Sequence, residues 1–284
     1  MDTQSYEDRG YLREDFRLFH LRERQQQEIP YHYHSFHKIV WLLAGRTDYA
    51  VEGCAYHLQP GDCVLVGRGC IHRPLVQAED YYERVILYIS PDYLEGLSAG
   101  DDLASCFSRA QQQSCYVYHA SGELRQKLLQ LEQVTDSDEF GAAILQQALF
   151  MELMVAVNRM TRQEQAVDGF SGDRKMMAIL QYLGSHPEEN ISIDDLSERF
   201  YISKYHMMRC FRDTTGYTIH NYITEKRLLL ARQLLNQGVA LSEIAQRCGY
   251  QDYSTFSRAY KKQFGASPSA SRDKSPALHS ELSE

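Results

Sequence analysis

Residues 191–268 carry one pattern twice, and that repetition limits the fold more than any other feature of the chain. The first copy reads ISIDDLSERFYISKYHMMRCFRDTTGYT and the second LSEIAQRCGYQDYSTFSRAYKKQFGASP. In each, a serine starts a short helix: Ser192 with Asp195 three residues on, and Ser242 with Ala245. Leu196 in the first copy, and Ile244 with Ala245 in the second, give that helix a core-facing side. A tight turn follows, with Tyr201-Ile202 in one and Gly249-Tyr250 in the other. The second helix opens on Ser203 or Asp252, turns Phe211 or Tyr260 inward, and stops at Gly216 or Gly265. Arg209 and Arg258 fall at equivalent places, 49 residues apart. Between the copies, YITEKRLLLARQLLN (222–236) reads as one long helix. Helix, short turn, helix with a basic outer face is a helix-turn-helix unit. One such match is weak evidence, because helical hairpins are common. Two joined by a long helix are much stronger.

Charge fits this division only when the chain is split. The whole chain of 284 residues carries a net charge of −8, which taken alone argues against nucleic acid. Residues 1–171 hold 15 basic and 25 acidic side chains, a net −10. Residues 172–270 hold 13 and 10, a net +3, and the tail 271–284 carries −1. A charge of +3 is modest, so DNA binding by this half needs helix dipoles, avidity and geometry as well as bulk charge.

The first 120 residues read as β-structure. Apolar runs KIVWLLAG (38–45), CVLVG (63–67) and YERVILYIS (82–90) are separated by turn signals such as Pro60-Gly61-Asp62 and Ser90-Pro91. From about residue 121 the period becomes helical, with Leu124, Leu128 and Leu131, then Ile144, Leu145, Ala148, Leu149, Leu153 and Val157. These two helices cover the β-domain, form a dimer interface, or do both. The polar stretch TRQEQAVDGFSGD (161–173) has the composition of a linker, and the Ser/Pro-rich end that of a frayed tail.

Several function classes are excluded or disfavoured. The seven cysteines are scattered and contain no CxxC pair, so they read as reduced thiols rather than a disulfide or zinc framework. No apolar run is long enough to cross a bilayer, and the N-terminal residues MDTQSYEDRGYLRED are not of signal-peptide type. A cytoplasmic protein without a membrane partner is expected. No GxSxG, HExxH, P-loop or GxGxxG arrangement occurs.

The stretch KRLLLARQLLNQGVALSEIAQRCGYQDYSTFSRAYKKQFGASP resembles the signature of AraC/XylS-type transcription regulators. Arg227, Ala231, Leu234 and Leu235 match the joining-helix pattern. Ile244, Ala245, Gly249, Tyr250, Phe256, Arg258, Phe264, Gly265 and Pro268 match the second unit. The resemblance implies two recognition helices in successive major grooves, one helical turn or ~34 Å apart. It places Lys204, Tyr205, Met208, Arg209 and Arg212 on the first of them, and Tyr253, Ser254, Ser257, Arg258 and Lys261 on the second. Arg209 is the candidate for a bidentate contact to guanine. Lys204, Lys261 and Lys262 are candidates for phosphate contacts. Arg258 either contacts DNA or pairs with an acid inside its own unit, and Tyr205 and Tyr253 either pack on sugar or read bases.

The segments IPYHYHSFHKIVWLLAG and YHLQPGDCVLVGRGCIHRP resemble the two sequence motifs of cupin barrels. His32, His34 and His72 fall on the histidine positions, and Lys38 stands where metal-binding cupins have glutamate. His32 and His34 point to one strand face, which suits a metal, but an ammonium in place of a carboxylate weakens such a site. The histidines therefore line a polar small-molecule pocket, hold a metal, or are ordinary structural residues. As a pocket, His32, His34, Lys38, Trp41, His72 and Arg84, with several tyrosines, would suit a sugar or a carboxylate-bearing metabolite. Trp41 fits equally well in the core.

The expected fold is an α+β multidomain chain. A cupin-like effector-sensing β-barrel (1–120) precedes a helical dimerisation element (121–162) and a linker (163–173). An all-α domain of two helix-turn-helix units joined by a long helix (174–272) and a flexible tail (273–284) complete it. The resemblance implies a sequence-specific regulator, an activator rather than a repressor, that works as a homodimer. Its partners would be promoter DNA, a sugar-like effector and RNA polymerase, with no cofactor. A metal-dependent cupin enzyme, and a regulator whose barrel only dimerises, are the alternatives.

Overall fold

The computed structural model describes residues 12, 14–24, 29–75, 81–135, 137–163, 166–169 and 174–272. The expected tail, 273–284, lies outside them. The chain divides into two compact units, Met1–Met177 and Ala178–Glu284.

The first unit is a pair of antiparallel sheets. The larger contains β1 (Phe16–Arg24), β2 (His37–Ala44), β5 (Asp62–Val66), β7 (Tyr81–Ile89) and β8 (Val117–His119), in the order β1-β7-β2-β5-β8. The smaller contains β3 (Thr47–Val51), β4 (Cys54–Leu58) and β6 (His72–Leu75), in the order β4-β3-β6. Side-chain alternation sets what each strand face meets. On β2, Lys38, Val40 and Leu42 line an interior cavity, while His37 points the other way and stacks on Phe107, ring centroids 4.2 Å apart. On β7, Tyr82, Arg84, Ile86 and Tyr88 line the same cavity. Glu83 faces outward, where His20 bridges it at 2.7 Å to Glu132 at 2.5 Å. Both faces of β2 are therefore covered, and residues 37–42 are all buried.

Two short helices interrupt the segment read as purely β: α1 (Pro91–Leu97) and α2 (Ser105–Gln112). Ser90-Pro91 is not a hairpin turn. Ser90 is a helix N-cap and Pro91 the first helical residue, where a missing N–H costs nothing. The next two helices, α3 (Gly122–Thr135) and α4 (Ala142–Gln163), follow the sequence periodicity. Leu124, Leu128 and Leu131 are buried, as are Phe150, Leu153, Met154 and Val157. Ile144 and Leu145, read from sequence as part of the same apolar stripe, are instead exposed.

Part of the expected linker is anchored. Val167 N donates to Val117 O at 2.8 Å, and Ala166 bridges to Tyr118. The edge of β8 offers backbone groups, and Ala166 and Val167 pair with them. The rest of 164–173 lies outside the described residues.

The second unit is helical. Helix α5 (Arg174–Ser185), whose residues 174–177 belong to the first unit, leads into α6 (Ile193–Arg199), α7 (Lys204–Thr215), α8 (Ile219–Asn236), α9 (Leu241–Arg247), α10 (Tyr253–Phe264) and α11 (Pro268–Arg272). Leu228, Ala231, Leu234 and Leu235 of α8 pack with Ile244, Ala245, Phe256 and Tyr260. Ser192 and Asp195 form a reciprocal capping box at α6. The matching expectation for Ser242 does not hold: Ala240 is the N-cap of α9, with no side-chain cap bond. Helix α9 starts two residues earlier than Ser242 as its N-cap would place it, and Leu241 packs against the core. Both expected glycine stops are present, Gly216 and Gly265, each with φ +75°.

Candidate effector cavity and nucleic-acid interface

The cavity of the first unit has a volume of about 260 Å³. Four sequence-predicted residues line it: His32, His34, Lys38 and Arg84. His72, fully buried, stands behind them, its Nε2 3.3 Å from Lys38 Nζ. Trp41 does not belong to the group. It is odd-numbered on a strand whose even positions face the cavity, so it is buried on the other side, near Ala120 and Leu128 of the α3 region. The tyrosines left unassigned by sequence are Tyr49, Tyr82 and Tyr88. The parity of β7 would have found two of them, since Tyr82 and Tyr88 share a face with Arg84.

Burial controls the charges here. Burial first, then Lys38, pulls His32 down to about 4. The same causes, with the neighbouring histidines, hold His34 and His72 well below the usual imidazole range. All three rings are neutral at neutral pH. His72 Nδ1 donates to Cys70 O at 3.0 Å and His32 Nδ1 to Pro30 O at 2.8 Å. Both bonds fix the proton on Nδ1 and leave Nε2 as an acceptor. Burial and the Arg84 guanidinium lower Lys38 to about 7.

The ligating atoms of His32, His34 and His72 lie within 4.8 Å of one another, close enough to share one metal ion. The donor set as a whole does not fit one. Lys38 Nζ already engages His72 Nε2 and brings positive charge where a metal needs a carboxylate. The trio is better described as three neutral acceptors and rings gathered around a buried amine.

The second unit presents a different surface. All five candidates on α7, Lys204, Tyr205, Met208, Arg209 and Arg212, are exposed. Tyr205, Met208, Arg209 and Arg212 line one groove on that helix with Asp213 and His220. Lys204 forms an ion pair with Asp194 of α6. Arg209 has a loose pair with Asp213 at 3.8 Å, both side chains 70% exposed. On α10, Tyr253, Ser254, Arg258 and Lys261 are exposed and Ser257 is half-buried. Arg258 forms no ion pair with a described acid. It lies back on its own helix, Nε 3.4 Å from Ser254 O and Nη2 3.4 Å from Thr255 Oγ1. Sequence reading missed Tyr201 as a surface residue. It stands 86% exposed just before α7, in the left-handed conformation with φ +49°.

Two family models divide this geometry between them. The AraC-like ligand binding domain matches residues 16–154, and a helix-turn-helix domain matches residues 196–274. This chain is an AraC-family transcription regulator. Among relatives of the regulator is the HTH-type transcriptional activator RhaS of Escherichia coli O1:K1 / APEC. It is 26% identical over 246 residues, covering 86% of this chain and 87% of its own length. The RhaS of Citrobacter koseri is 27% identical over 256 residues, 89% of this chain and 91% of its own. A crystal structure of apo ToxT from Vibrio cholerae aligns over 92% of this chain and 98% of its own, at 14% identity and a TM-score of 0.42. The matched domains and relatives are those of DNA-binding regulators, so the AraC-family chain is not an enzyme, and the metal-dependent cupin enzyme falls away as an alternative. No described helix is long and apolar enough to cross a membrane.

Proposed function

We propose that this regulator is an activator that binds promoter DNA as a homodimer in the cytoplasm and is switched by a small organic effector in the barrel cavity. One observation carries the reading: α7 and α10 each turn an arginine-bearing face to solvent at equivalent positions, 49 residues apart, on either side of one joining helix. Activation is supported by the RhaS relatives, which are transcriptional activators. An activator requires contact with RNA polymerase, which the proposal includes. The effector is of the size of a monosaccharide or a short organic acid, which the cavity of about 260 Å³ admits.

The homodimer is supported by the outer side of the α3–α4 hairpin. Phe140, Ile144, Leu145 and Val155 are exposed there, and large apolar side chains grouped on one face mark an interaction site. Effector binding would then change which pairs of half-sites the dimer can reach. Residues 1–120 would then sense the effector, 121–162 dimerise and 174–272 bind DNA.

Selection of bound sequences from a random duplex pool by the full-length protein tests the reading. It should enrich a site with two elements about one helical turn apart. A pool that stays unenriched overturns it.

A further inference from the structure

The cavity wall has an unusual composition for a sugar site. Among its described residues there is no Asp, Glu, Asn or Gln. A sugar hydroxyl both donates and accepts, and a ring of hydroxyls needs several such partners. Here most of the wall is apolar, with Leu21, Ile29, Leu42, Leu58 and Ile86 among its residues. The charged groups of the wall are Lys38 and Arg84. Lys38 is 6% exposed, and none of the described carboxylates pairs with it. Its near neighbours are His72 Nε2 at 3.3 Å, the rings of Tyr49 and Tyr88, each centroid 6.0 Å away, and the Arg84 guanidinium on the same wall. Tyr49 is 3% exposed, and its hydroxyl has no hydrogen-bond partner among the described residues. His34 Nε2 is buried and likewise has none among them. A buried amine beside an orphaned hydroxyl donor is a stable arrangement once an anion sits between them.

We propose that the cavity takes an amphipathic monocarboxylate, its carboxylate held by Lys38 Nζ and the Tyr49 hydroxyl and its apolar body laid against Leu42, Leu58 and Ile86. This rests on the reading of the barrel as an effector domain and narrows it to one ligand class. The carboxylate supplies the counter-charge that a buried ammonium lacks. The apolar body displaces water from a wall that offers it few partners. A cavity of about 260 Å³ has room for roughly ten heavy atoms of such a ligand.

The test is titration calorimetry and thermal shift on the full-length protein with octanoate, its neutral isostere octanamide, and a panel of neutral hexoses and pentoses. Octanoate should bind at least ~10-fold tighter than octanamide. Lys38→Met should sharply reduce that preference, leaving only what the Arg84 guanidinium on the same wall supplies, and Tyr49→Phe, which keeps the ring, should weaken octanoate several-fold. The wild-type comparison of acid and amide needs no variant to fold. Equal affinity for octanoate and octanamide overturns the proposal. Binding of a neutral sugar with no response to octanoate overturns it too, and leaves the effector-domain reading standing. No response to any of these probes overturns the proposal and leaves the effector-domain reading standing on the matched ligand-binding domain.

Discussion

The two helix-turn-helix units share a plan and differ in how firmly each is held. In the second unit the turn residue with positive φ is Gly249, at +74°. A Cβ there would lie 2.5 Å from Glu188 O and 3.0 Å from the Arg227 guanidinium. Arg227 itself, on α8, donates to Pro187 O at 2.7 Å and Glu189 O at 2.8 Å. Loop 187–189, joining helix and second turn are thus packed into one knot. In the first unit the left-handed turn residue is Tyr201, a non-glycine with its side chain in solvent. That turn is also one residue shorter, with four residues between α6 and α7 against five between α9 and α10. Both units keep a local cap and an exposed ion pair, Ser192–Asp195 with Lys204–Asp194 in the first and Asp252 with Glu243–Arg247 in the second. Similar outlines can therefore share local hydrogen bonds while the second copy alone adds steric fit at its turn.

The largest effect expected from breaking this contrast is at Gly249. Gly249→Ala must strain the backbone and push against a carbonyl, and should cost about 3–5 kcal/mol in denaturant unfolding. A loss below about 1 kcal/mol would show that the knot yields easily. Next is Arg227→Ala, which leaves two carbonyls without their charged donor and should cost about 2–3 kcal/mol. Arg209→Ala and Arg258→Ala test the exposed faces. Arg209 is held only by a loose, screened pair, so it is the freer of the two to meet a base. Its loss should weaken specific binding by about 1–3 kcal/mol and relax specificity at one position. Arg258→Ala should cost less, since that side chain must first leave its own helix. Anisotropy titrations on the selected duplex measure both, and a reversed order would break the assignment. The smallest effects concern the caps. Ser192→Ala should cost about 1 kcal/mol, and Ser242→Ala, which removes no cap bond, only a few tenths.

Much of the second unit was legible because its signals are local. Glycine stops, the Ser192–Asp195 box and the apolar spacing of α8 act within a few residues of where they are written. Ser242 misled for the same reason: a serine near a helix start satisfies the pattern, yet Leu241 is already helical and packs against the core. The barrel was legible at the level of strands and of four cavity residues. Trp41 stays open between pocket and core in the sequence because a residue name says nothing about strand parity, which the neighbours Lys38, Val40 and Leu42 decide. Tyr49 was missed because it comes from the smaller sheet, and no local pattern brings β3 opposite β7. The anchoring of Val167 on β8 was likewise hidden, since it joins segments 50 residues apart through backbone atoms alone.

Lys38 also has an evolutionary consequence. Three imidazoles already converge within 4.8 Å, and the residue beside them differs from a metal ligand by one codon base, lysine to glutamate. Lys38→Glu would trade a buried cation for the carboxylate that completes a three-histidine, one-carboxylate set, and equilibrium dialysis against a divalent transition metal would read the outcome. Sensor and metalloprotein are then neighbours in sequence space, separated by the sign of one side chain.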